Sequence, residues 1–175
     1  MVENNGSKKS MGTRNRQKGH HAERFYADVF RGLGHEFCIT ARLGGRVFDN
    51  AGIDIINIPF NIQIKAGKQS KLSAGKILLQ MEAQIKSLFP KTHEVHKYPL
   101  LVIHRPNPFS KGYEEDVVYM TLQQFNFYTV GLDIKYVSYK KRNVRMSTAF
   151  GEIVGVKFSH LVNNKIFNYK DEEIQ

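Results

Sequence analysis

The sequence predicts a single α/β domain. Three observations carry that expectation. Two amphipathic helical stretches alternate with short apolar runs of strand length. Hydrophobic residues make up 41% and charged residues 24% of the chain, values of a sequence that buries a core. Its 175 residues suit one domain, and no internal repeat or long linker divides them.

Residues 1–17 are polar and basic, with Lys8, Lys9, Arg14 and Arg16, and read as a flexible arm. On charge alone that arm is equally well a solubilising tail. The first helix is expected in GHHAERFYADVFRGLG, where Ala22, Phe25, Tyr26, Val29, Phe30 and Leu33 recur at helical spacing and Gly34 is placed to end it. Glu23 projects at the edge of that apolar stripe. Gly19 lies one turn earlier on nearly the same side, where the lack of a side chain permits close backbone approach.

EFCITARLGG predicts a strand running into a glycine loop. GIDIIN and FNIQIKA predict two more strands, with Pro59 marking the turn between them. Alternation in the latter sends Phe60, Ile62 and Ile64 to one face and Asn61, Gln63 and Lys65 to the other. A second helix fits SAGKILLQMEAQIKSLF, with Ile77, Leu78, Met81, Ile85 and Leu88 as its stripe and Ser73 as its cap. YPLLVIH and DVVYMTL follow as strands, then a short helix around LQQFNF. Beyond Asp133 the pattern weakens to two strand-like runs, IKYVSY and EIVGVKFSH, separated by the basic KKRNVR and followed by the fraying tail NYKDEEIQ. The organisation expected is therefore an arm at 1–17, a core at 18–132, and an extension at 133–175 packed on or continuing that core.

A formal net charge of +10 favours a polyanionic partner, either nucleic acid or an anionic membrane surface. No apolar run approaches the roughly 20 residues that cross a membrane, and the N-terminus lacks the apolar centre of a signal peptide. A single cysteine, Cys38, excludes an internal disulfide and fits a reducing cytoplasm. Nucleic acid leads on these grounds, although ribosomal or chaperone-like roles give similar numbers.

The ordered set of KGHHAER with Glu23, TARLGG, GIDII with Asp54, and IQIKAG with Gln63 and Lys65 resembles the PD-(D/E)xK nuclease superfamily. Within it, the chain is most similar to the Holliday junction resolvases of archaea and phages. The likeness spans roughly residues 16 to 127. It implies a restriction-endonuclease-like core, a central mixed β-sheet flanked by helices, and a structure-selective endodeoxyribonuclease that cleaves four-way junctions as a two-fold dimer in the cytoplasm (of the host, if phage-encoded). It also implies Mg2+, with Mn2+ able to substitute.

In such enzymes the strand acid and the first position of the E-x-K pair hold the metal; by position these are Asp54 and Gln63, with the Ile64 backbone carbonyl a further ligand. Lys65 orients the attacking water and opposes developing negative charge, and Glu23 reaches the site through water or a second ion. Asp49 is a candidate third carboxylate. Magnesium is a hard ion held by oxygen donors, so carboxylates and carbonyls suit it. Glutamine replaces the usual glutamate at 63, which removes one formal charge and leaves a carboxamide oxygen.

The expected DNA contacts are Lys8, Lys9, Arg14, Arg16, Lys18, Arg42, Arg46, Lys68, Lys71 and Lys76, set against the plainer reading that charge runs are solvated faces. Likewise Asp54 and Lys65 can be read as a structural ion pair, and Gln80 and Gln84 as contacts to DNA or the metal shell or, more plainly, as helix-surface filler. Other functions stay open: a nuclease of the same fold acting on repair, recombination or restriction substrates, or a non-catalytic DNA-binding module. GKQSKLSAGK fails as a phosphate-binding loop on its glycine spacing, and THEVH is not H-E-x-x-H.

Overall fold

The computed structural model describes residues 11–68, 72–138 and 151–168. It is an α/β protein in which a mixed sheet packs against helices. Helix α1 (Met11–Gly32) leads to β1 (Ile39–Thr40), two short helices α2 (Ala41–Gly44) and α3 (Arg46–Asn50), then β2 (Ile55–Ile56) and β3 (Asn61–Ala66). Helix α4 (Ala74–Leu88) crosses to β4 (Leu100–Arg105). Then follow β5 (Val117–Thr121), α5 (Leu122–Tyr128), β6 (Val137–Ser138), β7 (Ile153–Lys157) and α6 (Phe158–Asn163).

The sheet runs in the order β1-β2-β3-β4-β5-β7-β6. Among the described strands only β3 and β4 are parallel, with Gln63 opposite Val102 and Lys65 opposite His104; α4 is the crossover such a pair requires. Alternation sorts the side chains as expected. Phe60, Ile62 and Ile64 join Leu101 and Ile103 under α1, against Ala22, Tyr26 and Phe30. On the other face, Val102 and Tyr119 pack against Leu78 and Met81 of α4.

Several expectations are corrected. The first helix begins at Met11, eight residues before Gly19, so Arg14 and Arg16 stand on exposed helical turns and not on a flexible arm. Strand β1 has two residues, and ARLGG is not a loop: it forms α2, joined to α3 by Gly45 at φ 143°. The stripe of α4 ends before Leu88, which is 41% exposed; the chain leaves the helix there and Phe89 packs beside Ile85 and Val95 instead. Ser73 sits at the N-cap but makes no side-chain cap bond. The capping is better at α5, where Thr121 and Gln124 form a reciprocal box.

KFSH turns into α6 rather than continuing a strand. Residues 153–168 continue the same core: Val154, Val156, Phe158, Leu161 and Phe167 are buried with α1. KKRNVR and most of NYKDEEIQ lie outside the described residues. Among those described, no helix is long and apolar enough to cross a membrane.

Candidate active site

The last turns of β3 toward the C-terminal end of the sheet gather the residues singled out above. Strand β2 pairs with β3 only at Ile55 and Ile62, so the ladder stops short of Ile64. Odd-numbered residues of β3 donate toward β4, as Asn61 and Gly67 do at either end. Ile64 therefore turns its N–H and its carbonyl the other way, toward Asp54. Its N–H donates to the Asp54 carboxylate at 2.6 Å, while the Asp54 N–H donates to the Ile62 carbonyl at 2.7 Å. The acid thus finishes a ladder that its own strand has abandoned, one residue from both Gln63 and Lys65.

Burial pushes the Asp54 carboxyl up to about 7, and the nearby Glu23 and Asp49 push in the same direction; the Ile64 N–H and Lys65 pull against them. Lys65 and Gln63 are both half-buried. The Gln63 carboxamide reaches over Gly52, two residues before Asp54. A methyl on Gly52 would lie 3.0 Å from Gln63 Nε2 and 3.5 Å from Gln84 Oε1. Gly52 also holds φ at 75°, which favours glycine. Gln84 of α4, half-buried, shares that spot with Gln63.

Glu23 is buried on α1 and bound by Arg42 from α2, with Nε to Oε2 at 2.8 Å and Nη2 to Oε1 at 3.2 Å. That hydrogen-bonded pairing makes Arg42 hold its proton more tightly, with Asp49 and Asp54 adding to the effect. Arg42 was expected to meet DNA, and it is instead engaged with an acid of the site. Gly19 was expected to allow a close backbone approach, but a methyl there would meet only Glu23 Oε1, at 3.8 Å. The glycine leaves room beside that carboxylate.

Asp49 is exposed on α3. Arg46, Lys68 and Lys76 are exposed and Lys18 is half-buried; Lys8, Lys9 and Lys71 lie outside the described residues. Cys38 is buried and its thiol is pushed up to about 12 by that burial, which closes it as a nucleophile.

Among the described residues, no three His, Cys, Asp or Glu side chains gather tightly enough to hold a metal. What is present is a carboxylate at Asp54 near other acids, the backbone carbonyl of Ile64, and a carboxamide at Gln63. These are hard oxygen donors of the kind magnesium takes, and the acids near Asp54 suit a cation there. Glu23 fits only if Arg42 lets it go. No family model, no curated protein and no solved structure matches this chain.

Proposed function

We propose that the chain is a magnesium-dependent endodeoxyribonuclease selective for branched DNA, of the Holliday junction resolvase kind. The observation that carries the reading is the 2.6 Å bond from the Ile64 N–H to the Asp54 carboxylate, which fixes the acid beside the Gln63-x-Lys65 pair. The mixed sheet with one parallel pair under α1 and α4 is consistent with the restriction-endonuclease-like core.

In this reading Asp54, the Ile64 carbonyl and Gln63 would hold magnesium, with Glu23 in reserve. Bound magnesium supplies charge neutralisation at the phosphate and a more acidic water. Lys65 holds the attacking water by hydrogen bond and faces the negative charge that builds on the phosphate oxygens as the P–O bond to the leaving strand breaks. Exposed Arg46, Lys68 and Lys76 take backbone phosphates. A second copy of the chain would cut the opposing strand.

One observation favours a second reading. The Arg42 clasp on Glu23, with no third acid close enough to complete a cluster among the described residues, also suits a DNA-binding module of the same fold that does not cut.

Incubating the protein with four-way junction, linear duplex and single strands, with magnesium or with chelator, separates the two. The nuclease reading expects metal-dependent cleavage of the junction. It expects Asp54→Ala and Lys65→Ala to lose that cleavage by about 10²-fold or more while junction binding persists. Binding without cleavage under every divalent cation would leave the module.

A further inference from the structure

We propose that Arg42 is a positioning residue that keeps Glu23 occupied until a DNA phosphate draws its guanidinium away, so that Glu23 becomes available to a cation only on nucleic acid. The proposal rests on the nuclease reading above and goes beyond it, because it assigns the order in which substrate and cation engage.

The geometry points to an exchange of partners by one side chain. Both Glu23 oxygens are taken by the guanidinium, and the Glu23 side chain is 8% exposed. The Arg42 side chain is 45% exposed, so a ligand can reach the same guanidinium from solvent. The backbone beneath it is tied at both ends. Ala41 is buried and its N–H donates to the Asp54 carbonyl at 2.9 Å, which ties α2 to the acid-bearing chain. Gly44 at the other end of α2 lies so close to Ile56 that a methyl would overlap it. The exchange therefore needs only the side chain to move.

Phosphate and carboxylate both accept two parallel N–H bonds from guanidinium, so Arg42 changes partner without losing bonds. Glu23 cannot do the same. A carboxylate left buried beside Asp54 needs a new positive charge. In the absence of DNA, Arg42 is that positive charge, surrounded by Glu23, Asp49 and Asp54.

The test measures binding in both directions without any cleavage. Junction affinity is measured in chelator across a salt series for the unaltered protein, Glu23→Gln, Arg42→Gln and the double variant. Mn2+ affinity is measured on DNA-free protein by the electron paramagnetic resonance signal of the free ion. Glu23→Gln releases Arg42 and should tighten junction binding by about fivefold. Arg42→Gln should weaken it and lower the salt slope by about one unit. The double variant should behave as Arg42→Gln alone.

Arg42→Gln should raise Mn2+ affinity by about fivefold, a gain lost in the double variant. Arg42→Lys keeps the charge but not the fork and should recover only part of the junction affinity. Unchanged junction binding in Glu23→Gln, or unchanged Mn2+ binding in Arg42→Gln, overturns the exchange. If the protein cuts junctions yet shows neither change, the exchange falls and the nuclease reading stands. If the coupling in chelator is present but no DNA is ever cut, the nuclease reading falls alone.

Discussion

Asp54 carries an unfavourable charge in the metal-free protein. Its carboxyl sits at about 7 in the fold against an ordinary value near 4, because burial and the neighbouring acids outweigh Lys65 and the Ile64 N–H. Between those values the folded chain holds a proton that the unfolded chain releases. The contribution to stability is therefore full below pH 4 and is lost as pH rises through about 7. Asp54→Asn removes the charge and can still accept the Ile64 N–H. It should stabilise the metal-free protein at pH 8 by about 1 kcal/mol or more, and by less at pH 4, in urea melts at the two values. A loss of stability at pH 8 would show that the ionised acid is held mainly by its backbone bond. The residue types of this site were legible in the sequence: period-2 alternation put Gln63 and Lys65 on one face, and helical spacing put Glu23 at the edge of its stripe. The grip of Arg42 on Glu23 was not, since it joins two elements across 19 residues and no local period encodes it.

At the scale of elements, the long periodic segments were readable and the short ones were not. Helix α4 and the β3–β4 pair follow their apolar patterns closely. The first turns of α1 did not announce themselves because residues 12–17 are exposed and bury no stripe; Arg14, Arg16, Gln17 and Lys18 extend the helix on propensity alone. Helix α2 was hidden by its glycines, which read as a loop. Gly44 is there for packing: a methyl on it would meet Ile56 Cδ1 at 1.8 Å and Ile39 Cδ1 at 3.3 Å. Gly44→Ala should destabilise by about 1–3 kcal/mol despite the better helix propensity of alanine. Adding Ile56→Val, which removes the overlapping methyl, should recover much of that loss in a double-mutant cycle by denaturant unfolding. Additive losses would mean that α2 does not rest on β2 through this contact.

Across the whole molecule, one buried cluster ties the layers together. Arg105, fully buried at the end of β4, donates to Asp116 at 2.5 Å and lies 3.6 Å over the Phe25 ring of α1; Tyr26 donates its hydroxyl to the same Asp116 carboxylate at 2.6 Å. The Asp116 carbonyl then accepts the N–H of Phe158, where α6 begins. Asp116→Ala leaves a buried guanidinium without its counter-ion and should cost about 3–5 kcal/mol in denaturant unfolding. A cost below about 1 kcal/mol would show that water reaches Arg105. None of this was visible in the sequence, where no local period links Arg105 to Asp116 or Tyr26.

The sheet order has a consequence for how the chain is made. Strand β7 inserts between β5 and β6, pairing Val118 with Val156 and Met120 with Val154, so the far side of β5 waits for residues translated after position 152. Throughout synthesis up to that point, β5 offers a bare apolar rim to any neighbouring nascent chain. Translation stalled or terminated before Ile153 should therefore yield insoluble product, even though every acid and lysine of the candidate site has already been made.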